Sequence, residues 1–103
     1  MIICLCGSTK FKDTFHQVAK RKTLEGHIVV MPHVFGHSGD HVTPEQKAEL
    51  DELHIEKIRI SDQVLVINVD GYIGEGTLNE IRWAKVYNKP VSYLNGVARD
   101  TGY

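Results

Sequence analysis

Residues 61–94 read SDQVLVINVDGYIGEGTLNEIRWAKVYNKPVSYL, and the fold turns on this stretch. Gln63–Val69 is a near-continuous apolar run, the pattern of a strand buried on both faces of a parallel sheet. A Gly-rich turn, Asp70-Gly71-Tyr72-Ile73-Gly74-Glu75-Gly76-Thr77, follows it. A helix is then predicted to open near Thr77, and Val91–Leu94 to form the next strand. Turns at the carboxyl ends of parallel strands are where such sheets bind ligands. The glycines let backbone N–H groups approach an anion, and a helix N-terminus adds partial positive charge. Glu80 falls about one turn into the helix, so its carboxylate can face the same crevice. A carboxylate beside an anion-binding turn points to chemistry on a phosphorylated sugar.

Upstream, Ile2–Cys6 reads as a first strand ended by Gly7-Ser8-Thr9. A helix is predicted from about Lys10 to Glu25, with Phe11, Phe15, Val18 and Ala19 on one face and Gly26 as its C-cap. His27–Met31 is a second strand, stopped by Pro32, and a loop PHVFGHSGDHV follows. Thr43-Pro44-Glu45-Gln46 is a strong helix start: an N-cap Thr, Pro at the first helical position, and Gln three residues after the Thr. That helix runs to about Ile60, with Leu50, Leu53, Ile58 and Ile60 as core candidates. Strands alternating with helices predict an α/β three-layer sandwich around a four- or five-stranded parallel sheet. Residues 95–103, NGVARDTGY, could add a fifth strand, an arm onto a neighbouring subunit, or a tail.

With 103 residues the chain is expected to form one domain. A formal net charge of −1 offers no footprint for a nucleic-acid polymer or an anionic membrane. No apolar run approaches the roughly 20 residues that span a bilayer. The start, MIICLCGSTK, has no basic lead and reads as a strand rather than a signal peptide. Cys4 and Cys6, alternating on one strand, are poorly placed to bridge each other. Both features point to the cytoplasm.

The residues that carry chemistry fall into three groups. Gly7-Ser8-Thr9-Lys10 links a strand to a helix start, a geometry that holds phosphate through N–H groups and hydroxyls; its plain reading is a tight turn and a helix cap. A second such turn, at Gly74, Gly76 and Thr77, should lie beside it if strands one and three pair. Neither turn has the dinucleotide or P-loop spacing. The acids Asp62, Asp70, Glu75 and Glu80 are each ordinary alone, as turn or first-turn residues. Gathered around one crevice they resemble the set that cleaves a glycosidic bond, one carboxylate as nucleophile and another as acid. His33, His37 and His41 recur every fourth residue, but Gly36 and Gly39 argue against a helix there. They read as a lid over substrate, and no metal or other cofactor is expected at them, since no Cys or carboxylate cluster accompanies them. Trp83 and Tyr87 read as core or subunit contact.

CLCGSTKFKD, SDQVLVINVD and GEGTLNEIRWAKVYNKPV together resemble the nucleoside 2-deoxyribosyltransferases, most closely the 2′-deoxynucleoside 5′-phosphate N-hydrolases. The resemblance runs from Ile2 to about Leu94. It implies a flavodoxin-like, Rossmann-like sheet, a homodimer or larger homo-oligomer, and a Glu that attacks the anomeric carbon. On matching positions Glu80 is that nucleophile, Asp62 orients sugar or protonates the base, and Gly7 with Ser8 lines the site. The chain departs from the pattern at Gly74, where the hydrolases carry Ser and the transferases Asp, and Glu75 next to it is the candidate substitute. It departs also at Cys4, where relatives often carry an aromatic hydroxyl, and at Arg82, where Glu-Leu-Gly has its Gly. GEGTLNE also resembles a turn of the cytokinin-activating phosphoribohydrolases, which break the same bond.

These features give an N-glycosidase acting on a (deoxy)nucleoside 5′-monophosphate, a small-molecule partner. The rivals are a deoxyribosyltransferase, a nucleotide-binding module without chemistry, and a structural component of a larger assembly.

Overall fold

A computed structural model describes residues 1–95. Four parallel strands, β1 (Ile2–Gly7), β2 (Ile28–Val30), β3 (Gln63–Ile67) and β4 (Val91–Tyr93), form one sheet in the order β2-β1-β3-β4. Three helices connect them: α1 (Lys12–Leu24), α2 (Pro44–Ile60) and α3 (Glu75–Val86). This is the flavodoxin-like, Rossmann-like order, and β1 and β3 are neighbours as the two-turn reading requires. The region 95–103, read as a strand, arm or tail, lies almost wholly outside the described residues.

Alternation along the strands builds the three layers. Ile3 and Leu5 of β1, with Leu65 and Ile67 of β3, face α1 and pack on Phe15 and Val18. Cys4 and Cys6, with Val64 and Val66, face the other way, onto Ile58 of α2 and Ile81 and Ala84 of α3. The apolar run of β3 therefore serves two cores at once, which is why it carries no polar alternation.

Several boundaries differ from the sequence expectation. The Gly7–Lys10 turn does not enter α1 directly: Thr9–Phe11 is a single tight turn capped by Ser8, and α1 begins at Lys12. α3 opens at Glu75 rather than near Thr77, because Gly74 takes the extended N-cap conformation. β3 stops at Ile67, and Val69–Gly71 is a turn with Asp70 in the left-handed region at φ 53°. Gly26 ends α1 as expected, at φ 96°. The start of α2 also holds: Thr43 accepts from Gln46 N, and the Gln46 side chain accepts from Thr43 N.

Two core expectations for α2 fail. Leu53 and Ile60 are 56% and 51% exposed. Of the other two candidates Ile58 is fully buried and Leu50 half-buried, and His54 lies between them in the buried stripe. The loop after β2 is anchored by buried Phe35, edge-on to Phe15, and no helix forms over His33–His41 beyond a short turn at Gly36–Ser38. Among the described residues no helix is long and apolar enough to cross a membrane.

Candidate active site

A pocket of about 590 Å³ opens at the carboxyl ends of β1 and β3, the topological switch point of the sheet. The turn Gly7-Ser8-Thr9 and the start of α3, Gly74-Glu75-Gly76-Thr77, lie on it together. Gly7 is required by packing: a Cβ there would stand 2.7 Å from the Ile67 carbonyl oxygen of β3. Close approach of the two strands is what brings their terminal turns side by side. Gly74 carries no side-chain cap, so the first N–H groups of α3 face the pocket without an internal acceptor.

Glu80 lines the pocket from α3, its carboxylate Oε2 3.6 Å from His54 Nε2 on α2. Its other oxygen, Oε1, is buried with no hydrogen-bond partner among the described residues. Burial pushes the Glu80 carboxyl up to about 7; His54 and Lys47 pull against that, while Cys4 and Asp51 add to it. Burial also pushes the His54 imidazolium down, but a hydrogen bond with Cys4 and the charge of Glu80 outweigh it and raise its pKa overall. Below His54 lie the two thiols, Cys6 Sγ at 3.2 Å and Cys4 Sγ at 3.9 Å from Nε2. Cys4, held by Cys6 and further favoured by His54, is lowered to about 6, and Cys6 is driven well above the usual thiol range.

The loop of His33 and His37 forms the opposite wall. It is tied to the first turn: His37 N donates to Thr9 Oγ1 at 3.3 Å, and Ser38 Oγ donates to the Thr9 carbonyl at 2.8 Å. Asp40 closes the loop on itself by accepting from Phe35 N. Lys47, Asp51 and Lys57 of α2 complete the rim, with Lys47 paired to Asp51 at 2.9 Å.

Four of the residues read from sequence are not in this pocket. Asp62 lies at the amino end of β3, where its carboxylate accepts from Ile2 N at 2.6 Å and its own N–H donates to the Ile2 carbonyl. It staples the beginnings of β1 and β3, about 16 Å of strand away from Glu80's end of the sheet. Lys10 is exposed and sits 3.6 Å over the Tyr72 ring, outside the pocket wall. Asp70 is exposed in its turn, and His41 is exposed beyond the lining. Glu75 does reach the pocket, as an exposed first-turn residue of α3.

His54 is the residue that sequence reasoning missed. It occupies the middle of the Leu50–His54–Ile58 stripe, where one position of an apolar pattern is polar. Trp83 and Tyr87 stack at 5.7 Å and pack on the core beneath α3.

Comparison with family models and with curated proteins finds no match. Among solved structures the chain is similar to the CMP N-glycosidase BcmB of Clostridium botulinum, with a TM-score of 0.61 at 18% identity, over 90% of this chain and 70% of that one. At this identity the likeness is one of fold.

Proposed function

We propose that this protein is a nucleotide N-glycosidase acting on a (deoxy)nucleoside 5′-monophosphate, with Glu80 as nucleophile. The observation that carries the reading is the Glu80 carboxylate, lining the switch-point pocket with one oxygen that has no hydrogen-bond partner among the described residues. The fold it shares with a CMP N-glycosidase adds support.

In this reading the N–H groups at Gly74, Gly76 and Thr77 and the turn Gly7-Ser8-Thr9 hold phosphate or ribose oxygens. The Glu80 carboxylate attacks C1′; the C1′–N bond breaks and its electron pair leaves with the base, which takes up a proton. Glu75 at the rim orients that base, and His33 and His37 cover it. Water then attacks C1′ of the glycosyl-enzyme, releasing sugar phosphate and restoring the carboxylate. His54, 3.6 Å away, acts on Glu80: its positive form favours the ionised, attacking carboxylate.

The test is release of free base, followed by chromatography, across ribo and deoxy nucleosides and 5′-monophosphates. Base from monophosphates without an added acceptor base supports hydrolysis. Release only with an acceptor base makes the protein a transferase, and binding without release makes it a binding module. We place the protein in the cytoplasm as a homodimer or larger, the exposed Leu53 and Ile60 of α2 offering a face to a second copy. A monomer by sedimentation at assay concentration contradicts that assembly.

A further inference from the structure

We propose that Cys4, Cys6 and His54 form a site for a zinc-class divalent cation, with water as the fourth ligand. The three side chains come from two elements and are 0%, 0% and 5% exposed. Strand alternation sends both sulfurs of β1 to the same face, under α2. There the two Sγ atoms and a His54 ring nitrogen all lie within 4.8 Å of one another. Glu80 brings a carboxylate oxygen to the same nitrogen from α3.

The spacing matches a tetrahedral ion. Bonds of about 2.3 Å to sulfur and about 2.0 Å to nitrogen put sulfur and nitrogen about 3.5 Å apart. The sulfur–nitrogen separations here, 3.2 and 3.9 Å, bracket that value. Hydrogen bonds alone serve these atoms poorly. Nε2 carries either one proton or one lone pair in the plane of the ring, yet two thiols and a carboxylate crowd it. A cation between the two sulfurs and the ring nitrogen satisfies all three donors at once. Two sulfurs and an imidazole select zinc over magnesium or calcium, which take oxygen ligands. Lys57 at the pocket wall, its Nζ fixed on the Met31 carbonyl at 2.8 Å, offsets the excess negative charge of a loaded site.

Metal binding stands independently of the proposed glycosidase. One consequence rests on that reading: a cation on His54 takes the imidazole away from Glu80 and sets a positive ion beside the nucleophile, so zinc slows base release.

The experiment is a Co²⁺ titration of reduced, chelator-treated protein, followed by displacement with Zn²⁺. The expected result is one equivalent per chain, with thiolate-to-cobalt charge-transfer absorption and the visible bands of tetrahedral Co²⁺, both abolished by Zn²⁺. Cys6→Ser and His54→Gln should each weaken uptake at least about tenfold, with folding checked by circular dichroism. Glu80→Gln should leave both uptake and the thiolate band in place. X-ray absorption on the zinc-loaded wild type needs no variant, and should show two sulfur neighbours. No uptake, an octahedral cobalt spectrum without a thiolate band, or a folded Cys6→Ser that binds unchanged overturns the site. Loss of uptake in a folded Glu80→Gln overturns the three-ligand assignment. Metal uptake by a protein whose chelator-treated form releases no base sinks the glycosidase alone, and base release with no metal uptake sinks only this site.

Discussion

Glu80 of α3 and His54 of α2 meet across the floor of the pocket, carboxylate Oε2 to imidazole Nε2, at 3.6 Å. Each alters the other's protonation. The carboxylate favours the imidazolium, and the imidazolium opposes the burial that lifts Glu80 to about 7.

A pH profile follows from that pair. Attack on C1′ needs the ionised carboxylate, so kcat/KM of chelator-treated protein should rise as pH climbs through about 7. His54→Gln removes the group that pulls the Glu80 pKa down, and should move the rising limb to higher pH. A limb that moves to lower pH, or stays in place, contradicts the coupling.

Asp62 should prove structural. Its carboxylate serves the Ile2 amide at the amino ends of β1 and β3, so Asp62→Ala should leave kcat for base release unchanged. Urea unfolding should show a loss of about 1–2 kcal/mol. A collapse of kcat in a folded variant would return Asp62 to the site.

Gly7→Ala tests the packing that aligns the two turns. The added methyl meets the Ile67 carbonyl at 2.7 Å and Ile67 Cβ at 3.1 Å, so β1 and β3 must part. The expected cost is about 1–3 kcal/mol of stability, with KM raised because the turns separate. Unchanged stability would show that the strands yield freely.

Thr43→Ala removes half of a reciprocal cap at the start of α2, the helix that carries His54. A loss of about 1 kcal/mol is expected in urea unfolding. A neutral result would mean that burial of Ile58 and His54 alone positions that helix.

Much of this architecture was legible from pattern. The run VLVINV announced a two-sided strand, and Thr43-Pro44-Glu45-Gln46 announced a helix start, because both depend on neighbours in the chain. Glu80 was legible because its distance from the glycines is set by helix geometry. His54 was hidden, since a hydrophobic pattern on α2 selects Leu53 and Ile60, which face outward, and passes over a buried polar residue. Only pairing α2 against β1 brings His54 to Cys4 and Cys6, and that contact spans about half the chain. Asp62 was misplaced for a topological reason: a residue just before a strand lies at its amino end, and the pocket lies at the other.

The most direct measurement is base release from a panel of 5′-monophosphates by wild type and by Glu80→Ala, with nucleotide binding measured on both. The account predicts release by the wild type and a loss on the order of 10⁴-fold in Glu80→Ala, with binding preserved. Undiminished release by a folded Glu80→Ala would contradict it.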